Sequence, residues 1–382
     1  MPTLTGLKVL EIAAIGPVPF AGMMLADMGA DIVRVDRPLA DGAPEPYAGF
    51  DSRGRQSVAV NLKDPAGVEV VLKLVENADV LMEGFRPGVM ERLGLGPEVC
   101  LARNPRLVFG RMTGWGQTGP LSKAAGHDLN YIALTGALHG MGWPDRPPTP
   151  PLNIVGDYGG GGLMLVTGVL AALNERYASG LGQVVDVAMT DGVAALMAPL
   201  YAQMAQGQWK DERSANLLDG AAFFYGAYEC SCGAFITIGA LEPQFYSLFL
   251  ATCGLSQDQL PAQDDRESWT MMRDTLAALF RSRSRDDWSA LMEGTDICFA
   301  PVLSMMEAAR HPHNLARGTF VEIDGMPHPA PAPRFSRTPS QASRRLARVG
   351  EDSREVLASA GFAASEVQTM VDAGAVVSLS AG

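Results

Sequence analysis

Three short segments of the chain place ionisable side chains among glycines and apolar residues. They read GHDLNY from residue 126, VGDYGGGG from residue 155 and GALEPQFY from residue 239. The first supplies His127 and Asp128, the second Asp157 and the third Glu242, and burial among such neighbours shifts the pKa of an ionisable group. If the fold brings them together, a histidine and carboxylates are suited to general acid and base catalysis.

Two of these residues, His127 and Asp157, also have a purely structural interpretation. A single histidine in apolar surroundings is more often a core residue with its hydrogen bonds satisfied. Asp157 precedes a run typical of a helix, and Asp before a helix commonly caps its free main-chain donors. Catalysis and capping are compatible roles for Asp157.

Other familiar motifs do not account for the chain. The first strand-to-helix turn reads AIGPVPFAG, whose two prolines and glycine spacing do not match the GxGxxG of dinucleotide-binding folds. The P-loop and HExxH patterns are also missing from the sequence. His311 and His313 form an HxH pair without nearby cysteines, which favours a solvated loop over a metal site.

Composition limits the class of protein. The 382 residues are 47% apolar and 19% charged, with a net charge of −12, which is typical of a globular chain and unfavourable for nucleic acid or anionic lipid. An anionic ligand therefore needs a local basic pocket. The five scattered cysteines favour reduced, buried thiols in a cytoplasmic protein, namely Cys100, Cys230, Cys232, Cys253 and Cys298.

The N-terminus and the apolar stretches also favour a cytoplasmic protein. The N-terminus has neither a basic leader nor a long apolar run, so we expect no signal or transit peptide. Residues 158–174 and 192–209 approach the length of a membrane span, but Gly, Pro, Gln and Asn interrupt them. We therefore expect buried helices there, and no membrane span.

The elements that must position the three segments alternate between strands and helices. Residues 7–14 predict a strand, the next stretch a turn and a helix that ends at Gly29, and residues 30–36 a second strand. Asp64 and Pro65 are typical of a helix start. Further strands are predicted at residues 78–84, 106–112 and 183–189. This order indicates an α/β fold with a largely parallel sheet.

The second half of the chain differs in pattern. Residues 223–241 predict an antiparallel hairpin with an SCG turn, and helices are expected at 243–253, 268–282 and 286–293. The proline-rich residues 326–339 predict an extended strap without regular structure. Two short helices are expected at 351–361 and 365–373.

Eight motifs in order make the sequence resemble the α-methylacyl-CoA racemases, members of the CaiB/BaiF-type class III CoA-transferase superfamily, over nearly the whole chain. The motifs are GADIVRVDRP at Gly29, EGFRPGVMERLGLGP at Glu83, RMTGWGQTGP at Arg111, AGHDLNYIALTG at Ala125, PLNIVGDYGGGGL at Pro151, NLLDGAAFFYGAYE at Asn216, GALEPQFY at Gly239 and GTDICFAPVL at Gly294.

The resemblance implies a Rossmann-like large domain with a parallel sheet, a smaller α+β domain and an interlocked homodimer. Fitted to this chain, residues 1–190 form the N-terminal part of the large domain and 191–222 a helical connector. Residues 223–315 form the small domain, and 316–382 the strap and helices that complete the large domain. An interlocked pair has no stable lone monomer.

The resemblance also implies an activity. Members of the family interconvert (2R)- and (2S)-2-methylacyl-CoA thioesters by moving the C2 proton through an enolate, without a metal or redox cofactor. His127 and Asp157 match the two acid/base groups, and Glu242 matches the carboxylate that orients the histidine. We further expect a main-chain N–H at the helix start by Asp157 to face the thioester oxygen. The sequence does not rank branched fatty acyl, arylpropionyl and sterol side-chain esters.

The resemblance assigns a second group of residues to binding of the CoA part of the substrate. Arginines among them suit phosphate groups. The residues are Arg37, Val60, Asn61, Leu62, Lys63, Gly84, Phe85, Arg86, Arg92, Gly126, Asp128, Leu129, Asn130 and Tyr131.

Two other functions remain open from the sequence. In the transferase branch, the residue that matches Asp157 is a nucleophile that forms an acyl-enzyme, although that branch generally lacks the histidine and glutamate matched by His127 and Glu242. A noncatalytic CoA-binding protein would need the arginines but not the acid/base pair. NAD-dependent oxidoreduction rests on analogy of fold alone.

Overall fold

The computed structural model describes residues 1–40, 43–44, 46 and 49–379. It divides into two compact units: Met1–Thr135, Pro151–Met197 and Val321–Gly382 form the first, and Gly136–Pro150 and Ala198–Phe320 the second. The sequence expectation had placed residues 136–150 in the large domain and 198–222 in a connector. Both segments group with the second unit because their contacts lie there.

Twelve strands occur in the part of the chain that the structure describes. They are β1 (Lys8–Ile12), β2 (Asp31–Asp36), β3 (Arg55–Val60), β4 (Val80–Glu83), β5 (Val108–Thr113), β6 (Val184–Ala188), β7 (Tyr225–Glu229), β8 (Phe235–Gly239), β9 (Phe299–Pro301), β10 (Phe320–Ile323), β11 (Met326–Pro329) and β12 (Val376–Val377).

The first unit is built on a seven-stranded sheet in the order β12-β3-β2-β1-β4-β5-β6. All neighbouring pairs are parallel except β12 with β3. Leu10 of β1 lies opposite Val33 of β2 on one side and Leu81 of β4 on the other. The α/β class with a mainly parallel sheet is thus confirmed, and the order from β3 to β6 is that of nucleotide-binding folds.

The helices of the described chain are α1 (Pro17–Asp27), α2 (Pro65–Val75), α3 (Val89–Arg92), α4 (Pro97–Arg103), α5 (Asp128–Leu134), α6 (Met164–Ser179), α7 (Met189–Leu196), α8 (Ala198–Ala205), α9 (Pro243–Thr252), α10 (Trp269–Phe280), α11 (Arg285–Met292), α12 (Met305–Ala308), α13 (Pro312–Arg317), α14 (Ser353–Ser359) and α15 (Ala364–Asp372). A π-helical segment, Ile154–Leu163, runs directly into α6.

Alternate residues of the sheet pack into cores on its two faces. Leu10 and Ile12 of β1 join a core with α2 and the C-terminal helices. Val9 of the same strand joins a core with α1 and α6. This alternation follows from the two-residue period of a strand, and it explains why the buried strands read as continuous apolar runs.

The predicted start of α2 is confirmed. Asp64 precedes Pro65, and its side chain accepts a hydrogen bond from the main-chain N of Ala66 at 2.9 Å. The first four N–H groups of a helix have no partner inside it, so this bond satisfies one of them. The sequence therefore fixes the beginning of α2 locally.

The two apolar stretches form helices that are less buried than the sequence predicted. The continuous helix Ile154–Ser179 is long and apolar enough to cross a membrane by length and composition, a test that core helices of other proteins also pass; 39% of its most apolar window is buried. The 192–209 stretch forms α7 and α8, and no residue of α8 is buried. Apolar side chains on these helices therefore remain uncovered within one chain.

The second unit contains the predicted hairpin. Strands β7 and β8 pair antiparallel, and β9 joins the other edge of β8. Its core is rich in aromatic side chains, such as Phe223, Tyr246 and Phe280. Helices α9, α10 and α11 overlap the three helices predicted here.

Two predictions outside these regions need correction. The first residues of the expected strap, Met326–Pro329, form β11 and pair with β10 in a two-stranded sheet. A turn at Asp324 and Gly325 closes this hairpin, and the sequence analysis predicts no turn there. Cys232 and Cys298 are exposed, whereas Cys100 and Cys230 are buried as expected.

Candidate active site

Two cavities lie at the carboxyl ends of the parallel strands in the first unit. The first cavity, of about 490 Å³, is lined by residues that follow β1, β4 and β5, and it includes His127 and Asp157. The second cavity, of about 610 Å³, is lined by residues that follow β1, β2 and β3. The strand order reverses between β1 and β4, and ligands of open α/β sheets bind at such a switch point.

His127 enters the first cavity from the residue just before α5. Its main chain is extended, with φ −132° and ψ 174°. Its N–H donates to Oδ1 of Asn130 at 3.1 Å, and its carbonyl accepts from the N–H of Asn130 at 2.8 Å. Asn130 therefore fixes the main chain of His127, while the imidazole is exposed at the cavity.

Tyr131 holds the main chain just before His127 in place. Its hydroxyl donates to the carbonyl of Gly126, and its ring meets the ring of Trp115 edge-on with centroids 4.8 Å apart. A Cβ at Gly114 or Gly126 would lie 2.1 or 2.7 Å from atoms of the tyrosine ring. Glycine at both positions is therefore required for the ring to pack against Gly114 and Gly126.

Asp157 reaches the cavity from the first turn of the π-helical segment. The glycines that follow it allow close packing: a Cβ at Gly160 would lie 2.6 Å from Cγ2 of Val193 in α7, and one at Gly162 would lie 2.6 Å from the Phe20 ring in α1. The GGGG run therefore lets this segment pass between α1 and α7. Because the segment begins after Asn153, Asp157 lies inside it and is not its capping residue.

The carboxyl group of Asp157 is partly buried and polar neighbours surround it. Burial raises its pKa above the usual value of 3.8, and the charge of Asp128 adds to the rise. A hydrogen bond from Nδ2 of Asn153 at 3.1 Å and the charge of His127 act in the opposite direction. Asp157 is therefore able to hold a proton at a higher pH than an exposed aspartate does.

Asp128 connects the two ionisable residues. Its Oδ1 accepts a hydrogen bond of 2.8 Å from the main-chain N–H of Asp157. The sequence analysis expects a main-chain N–H at this helix start to face the thioester oxygen. The N–H of Asp157 is not free for that role, because it already bonds the carboxylate of Asp128.

A partly buried ion-pair network holds the loop after β4. Glu83 accepts a 2.7 Å bond from the N–H of Phe85 and a 3.0 Å bond from Nε of Arg111. Arg111 also pairs with Glu91 at 2.7 Å. Burial raises the pKa of Glu83, whereas the Phe85 and Arg111 bonds lower it. The network fixes Phe85, whose side chain belongs to the lining of both cavities.

The second cavity combines cationic side chains with apolar walls. Arg37 follows β2, and Val60–Lys63 end β3 and continue beyond it. The N–H of Asn61 donates to the carbonyl of Ala375 at 2.9 Å, and the N–H of Lys63 donates to Oδ1 of Asn61 at 3.2 Å. Arg37 and Lys63 are exposed, so an anion at the cavity would meet two cations.

The structure brings together most of the residues that the sequence assigned to the site. The first cavity contains Gly84, Phe85, Arg86, Gly126, His127, Tyr131 and Asp157. The second contains Arg37, Val60, Asn61, Leu62, Lys63 and Phe85. Of the remaining assigned residues, Arg92, Asp128, Leu129, Asn130 and Glu242 line neither of these two cavities. Glu242 is exposed in the second unit, directly before α9.

Several residues of the first cavity were not predicted. Gly16 has φ 71°, and a Cβ there would lie 3.5 Å from Oδ2 of Asp157. Nδ2 of Asn153 donates a hydrogen bond to Oδ2 of Asp157, one helical turn further along the chain. This spacing is visible in the sequence. Trp115, Tyr158 and Met189 complete the wall, and no sequence signal separates them from ordinary core residues.

The described residues contain no group of three or more His, Cys, Asp or Glu side chains placed to hold a metal ion. Of the HxH pair, His311 makes a contact elsewhere, since its Nε2 lies 2.8 Å from Oε1 of Glu293. The expected solvated loop is instead the beginning of a helix: His311 directly precedes α13, and His313 lies within it.

Comparison with known proteins gives consistent results. Residues 4–353 match the model of CoA-transferase family III. The chain is 45% identical to alpha-methylacyl-CoA racemase of Mus musculus and 40% identical to that of Homo sapiens, and each match covers 95% of both chains. A crystal structure of a CAIB/BAIF family protein from Brucella suis matches with a TM-score of 0.78 and 26% identity, over 94% of this chain and 99% of the other.

Proposed function

Because the family match spans residues 4–353, the chain belongs to CoA-transferase family III, and we propose that it interconverts (2R)- and (2S)-2-methylacyl-CoA thioesters. It is an isomerase of the α-methylacyl-CoA racemase type. The observation that carries the mechanism is that His127 and Asp157 line one cavity.

Inversion at C2 requires that a proton leave one face of the carbon and another arrive on the opposite face. In one direction, a ring nitrogen of His127 takes the C2 proton, and the electron pair of the C–H bond moves into the thioester as an enolate. Asp157 then gives its proton to C2, and the C=O bond forms again. In the other direction Asp157 removes the proton and His127 delivers one. The raised pKa of Asp157 supports this exchange of roles.

The enolate oxygen needs a hydrogen-bond donor. The N–H of Asp157 is taken by Asp128, and the N–H of Asn130 by the carbonyl of His127. Neither of these two N–H groups is therefore available to the enolate oxygen.

The second cavity is proposed to hold the CoA part of the substrate. Arg37 and Lys63 would pair with phosphates, and the apolar walls would contact the rest of the nucleotide. Phe85, which belongs to both cavities, marks the passage of the thioester towards His127 and Asp157. The CoA contacts of Arg92 and the orienting role of Glu242 rest on the family resemblance.

We also propose the interlocked homodimer and the cytoplasmic location that the sequence suggested. Support for the dimer comes from uncovered apolar residues on the long helix, where Ile154 is 57% exposed and Tyr177 is 93% exposed. A second copy that covers these residues would remove them from water. Sedimentation at decreasing protein concentration tests the dimer, and cell fractionation tests the location.

Incubation of one enantiomer of a 2-methylacyl-CoA with the protein in deuterium oxide tests the reaction. We expect the opposite enantiomer to form with deuterium at C2. Exchange of CoA between two acids with an intermediate trapped by hydroxylamine would instead show a transferase. Binding of the ester without either reaction would show a noncatalytic CoA-binding protein.

A further inference from the structure

Asp128 has a role that its place in the sequence does not reveal. It follows His127 directly and begins α5, yet its carboxylate bonds the main chain of Asp157, 29 residues further along. Its side chain is nearly inaccessible, with 8% of the residue exposed. It lines neither the first nor the second cavity, so direct contact with a ligand there does not explain it.

The contact between Asp128 and the segment of Asp157 depends on glycine at position 156. A Cβ at Gly156 would lie 2.4 Å from Oδ1 of Asp128 and 3.1 Å from Cγ2 of Ile132. The carboxylate of Asp128 therefore occupies the space that the Cβ of any other residue at position 156 would need. It lies against the main chain one residue before Asp157 and bonds the N–H of Asp157 itself.

We propose that Asp128 is a positioning residue that sets the distance and orientation between His127 and Asp157. The inference rests on the proposed proton transfer and concerns the same site. His127 is anchored at the start of α5 by Asn130, and Asp128, the next residue, anchors Asp157. The first turn of α5 thus holds both acid/base groups in place. Proton transfer to the two faces of one carbon requires such fixed positions.

The charge of Asp128 adds a second effect. The titratable or charged groups that act on Asp157 are Asp128 and His127, and Tyr131 lies near enough to respond to the charge of Asp157. Arg86 acts on Tyr131 in turn. The neighbouring helices α1 and α7 contribute uncharged contacts to the glycine run, from Pro17, Phe20, Met189 and Val193. A carboxylate beside Asp157 favours its protonated form.

Two variants separate geometry from charge. Asp128→Ala removes the bond to Asp157, and we expect kcat to fall about 10²-fold with KM unchanged, as small misplacements of reacting groups do. Asp128→Asn keeps an acceptor oxygen of the same size, so its loss should be much smaller. In the direction in which Asp157 removes the proton, the rate rises through the pKa of Asp157, and Asp128→Asn should move that rise to lower pH.

Asp265→Ala is the matched control. Asp265 also accepts a main-chain N–H, from Glu267 at 3.2 Å, but it lies in the second unit and lines neither cavity. It should leave kcat, KM and the pH profile unchanged. Thermal unfolding of each variant shows whether it is folded.

The outcomes distinguish the positioning role from the proposed function. If the unmodified protein does not racemise any 2-methylacyl-CoA, the proposed function fails. If it does racemise, and Asp128→Ala retains kcat or raises only KM, the positioning role is overturned. Should Asp128→Ala not fold, Asp128→Asn decides: an unmoved pH profile contradicts the inference, and a rise displaced to lower pH supports it.

Discussion

The two cavities lie along the same edge of one sheet and share Phe85, yet their charges differ. The first cavity combines a partly buried carboxyl group with a raised pKa, an imidazole and the guanidinium of Arg86. The second contains exposed cations and apolar walls. The carboxyl ends of parallel strands offer a binding site in both places. The surroundings of the ionisable groups, rather than the fold, therefore decide where chemistry takes place and where affinity arises.

The largest effect should come from the first cavity. His127→Ala or Asp157→Ala removes one proton carrier, and general acid and base groups typically contribute about 10²- to 10⁴-fold to a rate. We expect kcat for racemisation to fall by such a factor with KM little changed. Steady-state kinetics with each enantiomer measures it. A wild-type kcat in either variant would contradict the assignment of proton transfer to the first cavity.

Phe85→Ala should affect both cavities at once. The side chain lies where the nucleotide and the reacting carbon would meet, so its loss loosens binding and the placement of the thioester together. We expect kcat/KM to fall about 10-fold or more, with changes in both constants. Leu101→Ala serves as a control, since Leu101 packs on the core without lining either cavity. A change in KM alone would show that the cavities act independently.

Arg37→Ala should weaken binding and leave the chemical step intact. Loss of one charge-assisted hydrogen bond to a phosphate corresponds to roughly 1.5 kcal/mol or more, or about a 10-fold rise in KM. The effect should shrink at high salt. Kinetics at two ionic strengths, with the exposed Arg310→Ala as control, checks this. A drop in kcat at unchanged KM would contradict the division of labour between the cavities.

The smallest effect concerns stability. A carboxyl group whose pKa is higher in the folded chain than in the unfolded chain favours folding at low pH, and this contribution is lost as pH rises through the folded pKa. Asp157 is such a group. Asp157→Asn should therefore slightly raise the melting temperature at neutral pH, and the gain should disappear below the unfolded pKa. Arg37→Ala should show no such pH-dependent gain.

The sequence predicted much of the fold because several elements are encoded locally. Strands β1 and β2 are apolar runs, α2 carries its own cap, and the β7–β8 hairpin has a turn signal. The sequence analysis does not predict strand β3, because Arg55 and Ser57 are polar residues at buried positions. Arg55 forms an ion pair with Glu11, and the hydroxyl of Ser57 bonds the carboxylate of Asp36. Such pairs join distant parts of the chain, so no local pattern reveals them.

The same distinction applies to the site. His127 and Asp157 could be found from their residue types, their glycine-rich surroundings and the family motifs. The bond from Asp157 to Asp128 and the approach of Gly16 depend on packing between α1, α5 and the π-helical segment. For the same reason the sequence does not show that the N–H of Asp157 is occupied, since its partner is 29 residues away.

The most direct test of the central claim is hydrogen exchange at C2 in two conservative variants, each given both enantiomers in deuterium oxide. With one proton carrier on each face, His127→Gln and Asp157→Asn should each racemise the ester at only a small fraction of the unmodified rate. Each should still exchange the C2 hydrogen of a single enantiomer, and the two variants should select opposite ones. Exchange of the same enantiomer by both variants would contradict the placement of imidazole and carboxyl group on opposite faces of the carbon.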